Sequence, residues 1–100
     1  MNRIYEEIAA ERKRQDEKWG EQNHSMISAT GYLRLADTNA AYYKKCNERE
    51  NKSWMNILLE EVHEVFAETD PVKQKEEMIK VCAVGVAIVE YLDRQIEGGK

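Results

Sequence analysis

Apolar positions along this chain recur at helical spacing, and no stretch alternates with the period of two that a half-buried strand needs. From Arg3 to about Lys18, Ile4, Tyr5 and Ile8 recur among glutamates and arginines, which predicts a charged, thinly apolar first helix, peripheral or dependent on a partner. "WGEQNHSM", Trp19 to Met26, breaks that pattern with glycine, asparagine and serine and reads as a loop. Tyr32, Leu33, Leu35, Ala36, Ala40, Tyr43 and Cys46 allow a second helix from about Ser28 to Asn47, with Gly31 and Thr38 weakening its early part. Beyond the polar connection "NERENKS", Ser53 is placed to N-cap a third helix. "TDP" ends that helix and opens a fourth, with Asp70 as N-cap and Pro71 at the first helical position. The fourth helix is expected to run to about Ile96, before a frayed "EGGK" end. The expected architecture is all-α, a compact bundle of about four helices in one domain spanning residues 1–100.

The third and fourth helices carry charge where a core helix should not. In "WMNILLEEVHEVFAE", Met55, Leu58, Leu59, Val62, Val65 and Phe66 form one broad apolar face. Glu61, Glu64 and Glu68 form a stripe along its flank, beside Trp54 and Ile57, with no lysine interleaved. In the fourth helix "VCAVGVAIV" is apolar all round, so this helix should be the buried centre of the assembly, with Cys82 as a small core residue. Glu77 lies one turn before Val81, on the face of Val84 and Ile88, at the mouth of that core. An ionised carboxylate there is costly unless something compensates it. Glutamates three apart lie on one side of a helix, so Glu61 and Glu64 can reach one ion, with Glu77 facing them from the next helix. Hard oxygen ligands in that arrangement suit Mg²⁺ or Mn²⁺. The alternative is an acidic cluster that faces solvent or pairs with lysine and arginine.

Composition narrows the partners. A chain of 100 residues supports one small domain near the lower limit for a self-sufficient core, so homo-oligomer formation is expected. A net charge of −4 disfavours stable nucleic-acid binding. The longest apolar run, Val81 to Val89, is too short to cross a bilayer. "MNRIYEEIAAERKRQ" lacks the apolar segment of a signal peptide, and the two cysteines, Cys46 and Cys82, have no redox or metal spacing; a cytoplasmic protein is expected.

"EEVHE" at Glu60–Glu64 followed by "EEMIK" at Glu76–Lys80 resembles the paired motifs of the MazG-like all-α nucleotide pyrophosphatases. That family carries E-E-x-x-E on one helix and E-x-x-D on the next, its carboxylates binding magnesium. "RQDEKWGEQNH", Arg14 to His24, "AETDP" and "VCAVGVAIVEYLDR" are similar to blocks of a small phage and bacterial subgroup. The likeness therefore spans most of the chain outside about Ser25 to Lys52. It implies hydrolysis of a nucleoside triphosphate to its monophosphate and pyrophosphate in a MazG-like bundle. The apolar surface left by a short charged first helix and an all-round apolar fourth helix predicts that the chain forms a homodimer or homotetramer. By the resemblance, Glu61, Glu64 and Glu77 match the metal-binding carboxylates, and Glu60 matches the motif's first glutamate, which could orient a water and accept its proton, or bind a second ion.

Lys80 stands where the family has aspartate. A protonated lysine cannot ligate a cation, which leaves three readings: Lys80 contacts phosphate, Glu76 substitutes as ligand, or the chemistry is lost. Lys18 and Arg14 are further candidate phosphate contacts, against the ordinary role of a lone surface cation in solubility, and Trp19, Gln22, Asn23 and His24 could stack on and read a base, or plug and turn the bundle end. His63 reads as a surface or interface residue, and Trp54 as a packing residue. Two other classes follow from the same residues. One is a catalytically silent helical module that binds a nucleotide or a protein. The other is an oligomerisation domain whose glutamates pair with Arg3, Arg12 or Arg34.

Overall fold

A computed structural model describes residues 2–27, 31–48 and 52–99. Four helices occupy these residues: α1 (Asn2–Trp19), α2 (Gly31–Glu48), α3 (Trp54–Ala67) and α4 (Pro71–Gly98), with no strand among the described residues. The first residues expected in the second helix, Ser28 to Thr30, and Arg49 to Asn51 of the polar connection lie outside the described residues.

Local chemistry sets the helix ends. Gly20, at a φ of 65°, adopts the left-handed conformation past the end of α1 and donates its N–H to the Asp16 carbonyl at 2.8 Å. Thr38 is accommodated inside α2 because its hydroxyl donates to the Arg34 carbonyl at 3.0 Å. Ser53 caps α3 by accepting the Asn56 N–H at 3.0 Å. Asp70 caps α4 by accepting from Val72, with Pro71 opening the helix and needing no donor of its own. The α4 helix continues two residues past Ile96, to Gly98.

These ends set the order of packing. Asn47, late in α2, reaches Asn56 and Glu60 early in α3, while Tyr43 one turn earlier stacks near His63 at 5.4 Å between ring centroids. Residue numbers rise on one helix as they fall on the other, so α2 and α3 are antiparallel. The same logic makes α3 and α4 antiparallel, with Trp54 beside Tyr91 at 6.1 Å and Glu61 and Glu64 beside Glu77. The α1 helix touches only α4, where Arg3 pairs with Asp93 at 3.1 Å. Its thin apolar stripe has one well-buried member, Ile4, and the charged remainder stays exposed.

The core is correspondingly small: Ile4, Ala36 and Val65 are the buried apolar residues among those described. One chain does not by itself make α4 the buried centre that was expected of the assembly, since none of its residues is fully buried, and one expectation is corrected: Cys82 is exposed rather than a core residue. Both follow from geometry. One face of α4 meets α3, its C-terminal half meets the start of α1, and the rest meets no other helix among the described residues. Met55 also leaves the predicted apolar face of α3 and is 65% exposed in its first turn. The radius of gyration is 15.9 Å, against about 13 Å for a compact domain of this length.

Val65, on α3, is 1% exposed and the most deeply buried side chain among those described. Val65→Ala should therefore cost about 2 kcal/mol. Met55→Ala should change stability by less than about 0.5 kcal/mol. Urea denaturation of both variants checks the contrast.

Candidate metal centre

The stripe on α3 and the glutamate on α4 meet at the seam of these helices. Glu61, Glu64 and Glu77 each present a carboxylate oxygen, and these atoms all lie within 4.8 Å of one another, in half-buried surroundings. The antiparallel packing of α3 on α4 brings Glu77 to the two α3 residues, which one helical turn already places on a common side. Two of the oxygens, Glu61 Oε2 and Glu77 Oε2, are buried and have no hydrogen-bond partner. A buried acceptor without a donor costs its full desolvation, so these two oxygens are where a cation or a donor would repay most.

The electrostatics agree with the geometry. Burial, then the Glu61 charge, then a hydrogen bond with Glu77 push the Glu64 pKa up to about 7. Glu61 is also raised, by burial first and then by the Glu60 and Glu77 charges, with Lys80 opposing. Lys80 donates to Glu77 Oε1 at 3.2 Å while remaining 58% exposed at its side chain, and that contact raises its pKa. The residue standing where an aspartate was expected thus sits at the rim of the carboxylates with its ammonium on one of them. Glu76, the possible substitute ligand, is exposed and outside the cluster.

Glu60 lies beside the cluster, since its charge raises both Glu61 and Glu64, but its Oε1 accepts from Asn47 Nδ2 at 2.7 Å. Asn47 therefore orients the residue expected to accept a proton. Its role depends on the register of α2 against α3, which no local motif announces. Glu68, last in the stripe, is diverted: its Oε1 accepts the backbone N–H groups of Thr69 and Asp70 at 3.1 Å.

Of the residues expected to contact substrate, Lys80 is brought to the carboxylates, whereas the contacts of Lys18, Trp19, Gln22, Asn23 and His24 lie within α1 and the loop after it. Lys18 sits over the Trp19 ring at 4.9 Å, Gln22 bonds His24 at 3.0 Å, and Asn23 donates to Glu21 at 3.1 Å. Arg14 pairs with Glu11. Arg12 pairs with Asp16, and Arg3 with Asp93, so two of the arginines considered as partners for the glutamates are engaged elsewhere. Of the two readings of His63, surface or interface, the structure shows a half-buried residue where α2 meets α3, its Nδ1 bonded to the Leu59 carbonyl at 2.8 Å. With Met26, Tyr32, Leu35, Asn39 and Phe66 it lines an open cleft of about 450 Å³ between α2, α3 and the loop after α1. Trp54 packs against Tyr91, as a structural aromatic would.

Among the described residues, no helix is long and apolar enough to cross a membrane. Compared with protein-family models, curated proteins and solved structures, the chain matches none.

The raised Glu64 makes a prediction about pH. Its folded pKa of about 7 exceeds the ordinary 4.5, so between these values the folded chain binds more protons than the unfolded one. The stabilising effect of that proton is fully present below pH 4.5 and is lost as pH rises through about 7. Thermal melts of metal-free protein should show a falling midpoint across that window, with a flatter slope for Glu64→Gln.

Proposed function

We propose that this chain is a MazG-like, metal-dependent nucleoside triphosphate pyrophosphohydrolase acting as a homodimer or homotetramer. The observation that carries the reading is the convergence of three carboxylates within 4.8 Å, two of them with buried, unpartnered oxygens. Glu61, Glu64 and Glu77 fit a divalent ion by donor chemistry: three hard oxygens leave room for the several waters that Mg²⁺ habitually keeps. A bound Mg²⁺ or Mn²⁺ supplies charge neutralisation at a phosphate chain and a lowered pKa for water.

The chain's own residues divide the remaining work. Glu64 must give up its proton to serve as a ligand, and Glu61 and Glu77 offer their orphaned oxygens. Glu60, held by Asn47, accepts the proton of an attacking water directed at the α-phosphorus. Lys80 leaves Glu77 for a phosphate oxygen, so its charge stabilises the departing pyrophosphate. Bare carboxylates repel a polyphosphate, which makes the cation a requirement for binding as well as for chemistry.

The Lys80–Glu77 ion pair also favours a second reading, a catalytically silent module of the same fold that binds a nucleotide or protein. An assay of pyrophosphate release over a panel of nucleoside triphosphates with Mn²⁺ separates the two. The enzyme reading predicts turnover that falls at least about 100-fold in Glu64→Gln, since even outer-shell partners of a metal carry about 10–100-fold. It also predicts lower kcat/KM for Lys80→Asp, because a phosphate contact is lost. Turnover that is absent in the wild type and emerges in Lys80→Asp supports the silent module instead.

A further inference from the structure

The accessible surface of the chain is 7990 Å². A compact monomer of 11.7 kDa exposes about 5,900 Å². Each chain thus leaves about 2,100 Å² uncovered, and two chains covering it from each other would bury about 4,200 Å², within the range of about 2,000–5,000 Å² found for obligate homodimers.

The outer side of α4 carries an exposed apolar stretch without charge. Ile79 and Val86 lie about half a turn round the helix from Glu77, facing away from α3. Between Lys75 and Glu90 the residues on that side are Ile79, Cys82, Ala83 and Val86, with no charge among them. Ile79 is 61% exposed, Cys82 and Ala83 are exposed, and Val72 one helical row earlier is 67% exposed. The small side chains of Cys82 and Ala83 allow a second helix backbone to approach closely. Exposed aromatics on α2 are by contrast interleaved with Arg34, Asp37, Lys44 and Lys45.

We infer that the outer face of α4, centred on Ile79, Cys82 and Ala83, is the surface on which a second copy of this chain docks. The inference rests on the reading that the chain self-associates, and it adds which face does so. Two-fold pairing makes the contact self-complementary: the same apolar stripe serves both copies. The carboxylate seam lies on the opposite side of α4 and stays open to ligand. All-round apolar character in "VCAVGVAIV" then has a use on each side, α3 covering one and the second copy the other.

Sedimentation velocity at micromolar concentration tests this with three proteins. The wild type should sediment at twice the 11.7 kDa chain mass or above. Ile79→Glu combined with Cys82→Glu should raise the dissociation constant by about 100-fold or more, two charges being buried per copy. Met55→Glu, equally exposed on α3, should leave it unchanged. Circular dichroism of each variant reports retained helix content, and these exposed positions should preserve it. A monomeric wild type overturns self-association itself. A double variant of wild-type mass, or dissociation by Met55→Glu, overturns the choice of face while leaving self-association standing.

Discussion

Like charges crowded at a half-buried seam are the constraint around which this small fold is organised. Two unit charges about 4 Å apart repel by about 4 kcal/mol at an effective dielectric constant near 20, against a net stability of about 5–15 kcal/mol for a typical domain. Glu61, Glu64 and Glu77 lie at that scale of separation, in surroundings drier than bulk water. Such a group must hold a proton, a lysine or a metal ion. In the metal-free chain the first two serve: Glu64 keeps a proton up to about pH 7, and the Lys80 ammonium rests on Glu77. The proposed divalent ion would replace both at once, which ties its binding to proton release and frees Lys80 for phosphate.

The remainder of the structure serves that seam. The Ser53 and Asp70 caps fix where α3 and α4 begin, and so which turns face each other. Asn47 ties α2 to Glu60 and extends the polar network to a third helix. Because α4 is covered by α3 along one side and by the start of α1 near its C-terminal end, the chain buries few residues completely. A second copy on the outer face of α4 would supply the core that one chain lacks, without closing access to the carboxylates.

Much of this was legible in the residues themselves. The caps Ser53 and Asp70, with Pro71 behind the latter, are local signals, and local hydrogen bonds decide them. The meeting of Glu61, Glu64 and Glu77 was legible because helical spacing sets two of them and the short 67–71 connection forces α4 back along α3. What depended on relative placement of helices was not. Cys82 and Met55 look like core residues to any periodicity argument, yet exposure depends on which neighbours α4 and α3 acquire. Asn47 was missed, and His63 left between surface and interface, for the same reason: their partners lie across the α2–α3 interface. The loop from Trp19 to His24 bonds within itself, and composition alone cannot distinguish that from a base-binding loop.

The central claim is that a divalent cation belongs among Glu61, Glu64 and Glu77, displacing the proton on Glu64. Isothermal titration of Mn²⁺ into the protein at pH 7, in buffers of different ionisation enthalpy, measures both binding and protons released. With a Glu64 pKa of about 7, binding should release about half a proton per site. The release should vanish at pH 9 and in Glu64→Gln. Absence of binding heat in every buffer, or binding with no proton released at pH 7, would contradict the account.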